Sequence, residues 1–523
     1  MLRKIRTCLG LVMLVGITLL FLDVTGALHT WLGWMAHIQF LPAVLSLNLL
    51  IVAALVVLTL LLGRIYCSVI CPLGLYQDAV AWISRRVNKR KHYSYSPGLT
   101  WLRIAMLVIF IAALVAGIGT VVALLAPYSS FGRMVVNLLA PFYRWGNNLL
   151  AAAAEHVDSY TFYSVDVWMR SLPAFLVALA TAVIIGILAW RNGRTYCNTI
   201  CPVGTVLGFL SRFSIVRVRM DADKCRNCGK CARSCKASCI DVKNHRVDYS
   251  RCVACGDCLD QCNFDALHYC VKLPQPTTPS ASDNATAKKE TATTEKATAA
   301  TEKATAATEK ATAATDEGRR AFITIAAAAA GGAALAQTSS KFDGGLAPII
   351  DKVRPERLTP LAPPGAISLA NLQSHCTACQ LCVAQCPNNV LVPSTDALHL
   401  MIPTMTYERG YCRPECNRCS QVCPTGAIRP IDKALKSSTQ IGHAVWVKKN
   451  CVVLTDGVSC GNCATHCPSG AITMIPYTHE GNEVMIPAVN VERCIGCGAC
   501  EHLCPARPFS AIYVEGHDKH RTV

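Results

Sequence analysis

Thirty-one cysteines stand in this chain, and most of them fall into short runs of fixed spacing. CRNCGKCARSC runs from Cys225 to Cys235 and CVACGDCLDQC from Cys252 to Cys262, each C-x2-C-x2-C-x3-C. A cubane of four irons needs four thiolates. A tight loop of this spacing supplies three, and the fourth comes from the other run. The expected sets are Cys225, Cys228, Cys231 with Cys262, and Cys252, Cys255, Cys258 with Cys235. Zinc is the bland alternative, but zinc sites use C-x2-C pairs and leave the third and fourth cysteines unexplained. A proline commonly follows the fourth cysteine of such runs. Lys236 and Asn263 stand there instead, which leaves coordination intact.

Four more runs follow APPG at Ala362. They are CTACQLCVAQCP from Cys376, CRPECNRCSQVCP from Cys412, Cys451 followed by CGNCATHCP from Cys460, and CIGCGACEHLCP from Cys494. Each supplies four cysteines and each ends in Cys-Pro, so sixteen thiolates suffice for four more cubanes. Six [4Fe-4S] clusters in all are expected.

A different cysteine motif occurs twice nearer the start. RIYCSVICPLG carries Cys67 and Cys71, and RTYCNTICPVG carries Cys197 and Cys201. Arg64, Tyr66, Ile70, Pro72 and Gly74 recur as Arg194, Tyr196, Ile200, Pro202 and Gly204. Agreement of this kind implies an internal repeat. Two cysteines four apart on a helix share a face. The four thiols could bind a further metal centre or cycle as redox dithiols, and small apolar packing is the bland account. Only Cys8, Cys239 and Cys270 are then left over, and the last two read as buried small side chains.

The elements that must position these residues are apolar. Hydrophobic residues make up 52% of the chain and charged residues only 16%. Four runs, starting near Cys8, Leu41, Trp101 and Leu172, reach the roughly 20 residues that a spanning helix needs. MLRKIR precedes the first, RRVNKRK lies between the second and third, and RNGR follows the fourth. Lys and Arg are absent from HTWLGWMAHIQF and sparse between Pro127 and Ser171. The positive-inside rule then puts both ends of this domain in the cytoplasm. The first run reads less well as a cleaved signal, because no clean small-residue cleavage site follows it. The net charge of +17 flanks apolar segments without aromatic interleaving, so no nucleic-acid partner is expected.

From Pro274 to Asp316 the chain is of low complexity, with TEKATAA in tandem, a polar spacer rather than a coiled coil. Then Arg319 and Arg320 precede an Ala-rich run of a length that suits a signal, with Ala334-Leu335-Ala336 as a small-x-small site. The stretch resembles a twin-arginine export signal. Its rivals are a fifth helix and a soluble helix with incidental arginines. The expected architecture is multidomain: an α-helical polytopic membrane domain of four helices over 1–215, a dicluster module over 216–272, the linker over 273–317, the signal or fifth helix over 318–337, and a four-cluster module over 338–523. The iron–sulfur modules are expected to be α+β and ferredoxin-like.

These motifs together resemble a fusion of two known subunits. The first half is similar to the membrane subunit of the periplasmic nitrate reductase quinol dehydrogenase (NapH-type), and the second to its four-cluster ferredoxin partner (NapG-type). The runs after Cys412 and Cys451, with their longer gaps, resemble four-cluster electron-transfer subunits of the dimethyl sulfoxide reductase family. That resemblance implies that the first run exchanges its fourth cysteine with the last, and the second with the third. The implied sets are Cys376, Cys379, Cys382 with Cys504; Cys494, Cys497, Cys500 with Cys386; Cys412, Cys416, Cys419 with Cys467; and Cys451, Cys460, Cys463 with Cys423.

The function expected is membrane-bound electron transfer, from quinol or a cytoplasmic donor to a periplasmic reductase or other redox protein, as a quinol dehydrogenase-like component in the bacterial cytoplasmic membrane. No catalytic acid, base or nucleophile is needed. The chain has no C-x-x-C-H haem site, so quinol diffusing between faces is the simplest bridge across the roughly 30 Å hydrocarbon core. Asp23 could deprotonate quinol but reads better as a solvated helix-end acid, and His29 and His37 share that ambiguity. Two other readings stay open: a metal-reducing or maturation factor, and a membrane-tethered cytoplasmic polyferredoxin. If the signal is real, cleavage after Ala336 would yield two polypeptides.

Overall fold

The first apolar run folds as helix α1, Leu2–Leu22. At 1.5 Å per residue it rises about 30 Å, the thickness of a hydrocarbon core. It stops at Asp23, whose carboxylate accepts bonds from the backbone N–H of Thr25, Gly26 and Leu28 at 3.0, 2.9 and 2.9 Å. Asp23 is buried, so it is a turn-forming cap and not the solvated acid expected. The computed structural model describes residues 2–271 and 350–523, apart from 24, 89–91, 160 and 223. The linker over 273–317 and the signal-like stretch from 318 lie outside the described residues.

The next two runs are broken where four full spans were expected. The run from Leu41 gives Phe40–Leu45 and then α2, Leu49–Leu62. Asn48 starts α2 afresh by accepting from the N–H of Ile51 at 3.2 Å. Gly63 ends it at a φ of 70°, which L side chains rarely adopt. The first repeat motif then winds through a π turn at Tyr66–Ile70 into α3, Pro72–Val87. The run from Trp101 forms α4, Thr100–Val115, which stops ahead of Gly117. The last run is α5, Leu172–Asn192, followed by the second motif and α6, Pro202–Leu210.

Among the described residues, two helices can cross a membrane by length and composition, Arg3–Leu22 and Leu172–Asn192. The pair Gly119–Leu125 and Pro127–Glu155, bent by 80°, is a third candidate. Alongside them α2 and α4 are apolar but short. Outward-facing Leu11, Val12, Ile104, Val108, Ile184 and Ile187 are exposed, a surface that suits lipid better than water.

Two α+β modules flank the helices. In residues 216–271, strands Val216–Met220 and Leu267–Val271 pair antiparallel and close the module at its two ends. In residues 352–523, Thr439–Trp446 pairs with Ile512–Thr522, and Ile472–His479 forms a hairpin with Asn482–Val489. Both modules and the helices belong to one unit, Met1–Lys272 with Lys352–Val523.

Each long helix has one module at either end. On α1, Arg3 and Arg6 meet Asp257 of the first module, while the Leu20 carbonyl accepts from Gln385 of the second at 3.1 Å. At the start of α5, Arg170 donates to the Val383 carbonyl of the second module. Just past its end, the Arg194 N–H donates to the Lys236 carbonyl of the first at 2.8 Å.

Candidate metal centres

The tight runs curl by left-handed backbone on both sides of the second cysteine. Asn227, Ala254, Ala378 and Gly496 precede it, and Gly229, Gly256, Gln380 and Gly498 follow it, all at positive φ. This turns the thiols of a run toward a shared cavity and leaves N–H groups free to meet sulfur. Cys225, Cys228, Cys231 and Cys262 line one cavity, walled by Met220, Val242 and Phe264. Cys235, Cys252, Cys255 and Cys258 line a second.

The second module pairs its runs differently from the exchange that the resemblance implied. Cys504 lines a cavity with Cys451, Cys460 and Cys463, so it does not join Cys376. Cys423 lies within electrostatic reach of Cys376, Cys379 and Cys382. Cys386 faces Cys412 and Cys419, and Cys467 faces Cys494, Cys497 and Cys500. Neighbouring runs therefore exchange their fourth cysteines, first with second and third with fourth. The physical reason is local: each Cys-Pro turn drops its thiol into the adjacent loop of the same half-module.

Ligand sulfurs receive backbone N–H bonds, from Ala266 to Cys262, Ala471 to Cys467 and Ala511 to Cys504, each at 3.3 Å. Burial, with Asp257 adding to it, pushes the Cys255 thiol up to about 12. Burial likewise holds Cys497 at about 12. Iron must displace these protons when it binds. Cys239, read from the sequence as spare, lies with its sulfur 3.5 Å from that of Cys235. Its hydrogen bond, against the opposing effect of burial, brings Cys235 down to about 7. Its spacing from Cys235, four residues, was the one available signal.

The two repeat motifs come together. Cys67, Cys71, Cys197 and Cys201 are all buried, and Cys201 lies within electrostatic reach of the other three. The contacts are reciprocal: Arg64 donates to the Cys197 carbonyl at 3.1 Å, and Arg194 donates to the Cys67 carbonyl at 2.5 Å. Gly74 and Gly204 are forced by the same approach, since a Cβ would sit 2.3 and 2.2 Å from the Cys67 and Cys197 carbonyl oxygens. Among the described residues, no three of His, Cys, Asp and Glu converge as for a single metal ion, here or in the six ferredoxin-type sets.

A buried ion cluster pins the first module beside this site. Asp78 meets Arg194, Lys236 and Arg6 at 2.7, 3.2 and 3.2 Å, and Asp257 meets Lys236 at 3.0 Å. Burial raises the Asp78 carboxyl, but the three cations outweigh it and hold it well below the usual carboxylate range. At the other end, Arg133 donates to the Ala378 carbonyl at 3.4 Å and Asn137 to Gln380 at 2.8 Å. Thr120 donates to the Ala397 carbonyl at 2.7 Å, and Arg409 stacks 4.4 Å from the Trp168 ring centroid. His29 sits here against the Gln421 backbone.

Comparison with known proteins agrees with these centres. A family described as a 4Fe-4S binding domain matches twice, at residues 46–90 and 172–220, once on each repeat. A family described as a 4Fe-4S dicluster domain matches at 375–427 and 458–507. The methylamine utilization ferredoxin-type protein MauM of Paracoccus denitrificans is 32% identical over 167 residues, 30% of this chain and 73% of that protein. The chain belongs to the ferredoxin-type 4Fe-4S proteins. MauM of Methylobacillus flagellatus is 34% identical over 152 residues, covering 28% of this chain and 64% of its own length. The ferredoxin-type protein NapF of Escherichia coli is 29% identical over 158 residues, covering 30% of this chain and 87% of NapF. No solved structure matches. The chain thus carries ferredoxin-type 4Fe-4S domains, and its two dicluster matches fall on the pairs of runs that the fold brings together.

Proposed function

We propose that this protein carries electrons through the bacterial cytoplasmic membrane, from quinol or a cytoplasmic donor to a periplasmic reductase or similar redox protein. The observation that carries the reading is the placement of two iron–sulfur modules at opposite ends of two helices, each long enough to span a bilayer. Six [4Fe-4S] clusters would use the twenty-four cysteines of the six sets. Their order supports a wire. The Cys252 set lies next to the helices through Ser250, which accepts from Arg64 at 3.0 Å. On the other side, the Cys376 set lies next to the helices through Ala378. Cys382 is within reach of Cys419, and the Cys412 N–H bonds to the Cys497 carbonyl at 2.9 Å. The Cys451 set ends the series, and delivery to the partner would occur there.

The chain leaves the first module at Val271 and re-enters the second at Lys352, at the other end of the helices. The purely cytoplasmic polyferredoxin reading loses ground to this geometry. The NapH-type and NapG-type fusion remains the finer reading we favour. A direct test of the donor is to mix anaerobically purified, oxidised protein with a soluble quinol and follow cluster absorbance. Bleaching of the clusters supports a quinol donor. No bleaching, with full bleaching by dithionite, would transfer the role to a cytoplasmic donor.

A further inference from the structure

The six sets leave a break in the wire where the helices lie, and four cysteines stand in that break. We propose that Cys67, Cys71, Cys197 and Cys201 together hold one further [4Fe-4S] cluster, shared between the two repeats and relaying electrons between the two modules. The inference deepens the conduit reading and rests on it for its role, though not for its existence.

Three observations carry it. The first is the reciprocal geometry. Each repeat contributes a Cys-x3-Cys-Pro turn, and each repeat's arginine grips the cysteine turn of the other. Four thiols, two from each copy, are thereby placed about one pseudo-twofold axis, the number a cubane needs. The segments matched as a 4Fe-4S binding domain contain no cysteines except these four.

The second is charge. Arg64 is fully buried, and its guanidinium lies 3.7 Å from the Cys67 sulfur. Among the described residues it has no carboxylate partner; its other contacts are Asn198, the Ser250 carbonyl and the Cys197 carbonyl. A buried cation without a counter-charge is costly. Four thiolates around a cubane carry net negative charge and supply one. Gln77 Nε2 points at the Cys197 sulfur at 3.2 Å, and the Gly204 N–H meets the Cys201 sulfur at 3.3 Å. These N–H to sulfur bonds are of the kind seen on the ligand sulfurs of both modules.

The third is position. On one side Arg64 links the site to the Ser250 carbonyl, two residues from Cys252. On the other, Tyr196 adjoins Cys197 and lies within electrostatic reach of Arg133, which is in reach of Cys379 as well. In the delivery direction one electron leaves the Cys252-set cluster, which is oxidised, and reduces the shared cluster. The same electron then passes to the Cys376-set cluster. No bond breaks and no proton moves.

Native mass spectrometry of the anaerobically purified full chain tests this directly. The expected result is seven cubanes in the wild type. In a Cys71→Ser/Cys201→Ser variant, the expected result is six, with a loss of about four irons per chain. Six cubanes in the wild type, with these four cysteines open to alkylation or holding zinc, would overturn it. The wild-type count decides alone should the variant not fold. Failure of quinol to bleach the clusters would leave a count of seven standing, so the two readings fail separately.

Discussion

The two ends of the helical domain hold their modules by different chemistry. The first module, covalently continuous with the helices, is fixed by a buried ion cluster around Asp78 and Asp257. The second, joined only through a long linker, docks mainly by side chains that donate to main-chain carbonyls: Arg133 to Ala378, Gln385 to Leu20, Thr120 to Ala397. Main-chain carbonyls are uncharged and fixed in place, so this face suits two pieces that fold apart and meet later. That is what export of a folded second module would require, with or without cleavage at Ala336.

Substitutions can break this contrast. Asp78→Asn should have the largest effect. It strands Arg194 and leaves Lys236 and Arg6 with Asp257 alone, and losing one member of such a buried cluster costs about 3–5 kcal/mol. The temperature at which the first module releases its clusters should fall sharply, whereas Asp260→Asn, partner of exposed Arg3, should change stability by about 1 kcal/mol or less. Next, with a protease site placed in the 273–317 linker, Arg133→Ala should weaken co-purification of the second module by roughly 1.5–3 kcal/mol, since a buried carbonyl loses a charged donor. Unchanged co-purification would show that this face is not what holds the module.

Acid should separate the ends in the same way. Burial lowers His29 and His37 below 6.5, against the backbone of Gln421 and the charge of Asp23 in the case of His29. Groups held neutral in the folded state lose stability as pH falls through their unfolded value, here near 6.5. The carboxyl of Asp78 is held below its unfolded value of 3.8, so its contribution is complete above that pH and fades only as pH falls past it. After linker cleavage, the second module should loosen between pH 7 and 5 while the first stays bound. Smallest is Cys239→Ala. It removes a hydrogen bond from a ligand sulfur, worth about 1 kcal/mol, and should lower one cluster potential by about 40 mV in a redox titration.

Much of this organisation was legible in the cysteine spacing. The six runs and the recurrence of the two Cys-x3-Cys-Pro motifs are visible in spacing alone, and in the first module the fourth cysteine of each run lines the cavity of the other. The second module's pairing was not legible there, because spacing names three ligands of a set and the fold chooses the fourth. Here a resemblance paired first with last and second with third, while Cys504 lines one cavity with Cys451, Cys460 and Cys463. Pairing can be checked by variants: Cys504→Ser and Cys451→Ser should each remove the same spectroscopic cluster signal, and the double variant no more than either. Hydropathy counted four spans because apolar content is blind to Asn48, Gly63 and Gly117, which restart or end helices through a side-chain cap or a positive φ. The docking of the second module was illegible as well, since its partners are carbonyls that any residue carries.

The central claim is that the two modules lie on opposite sides of one membrane. A C-terminal tag on the full chain in its host, probed by protease added to intact spheroplasts, tests it most directly. The account predicts that the tag is digested while a cytoplasmic control survives. A tag that stays protected while a periplasmic control is digested would place both modules in the cytoplasm and contradict it.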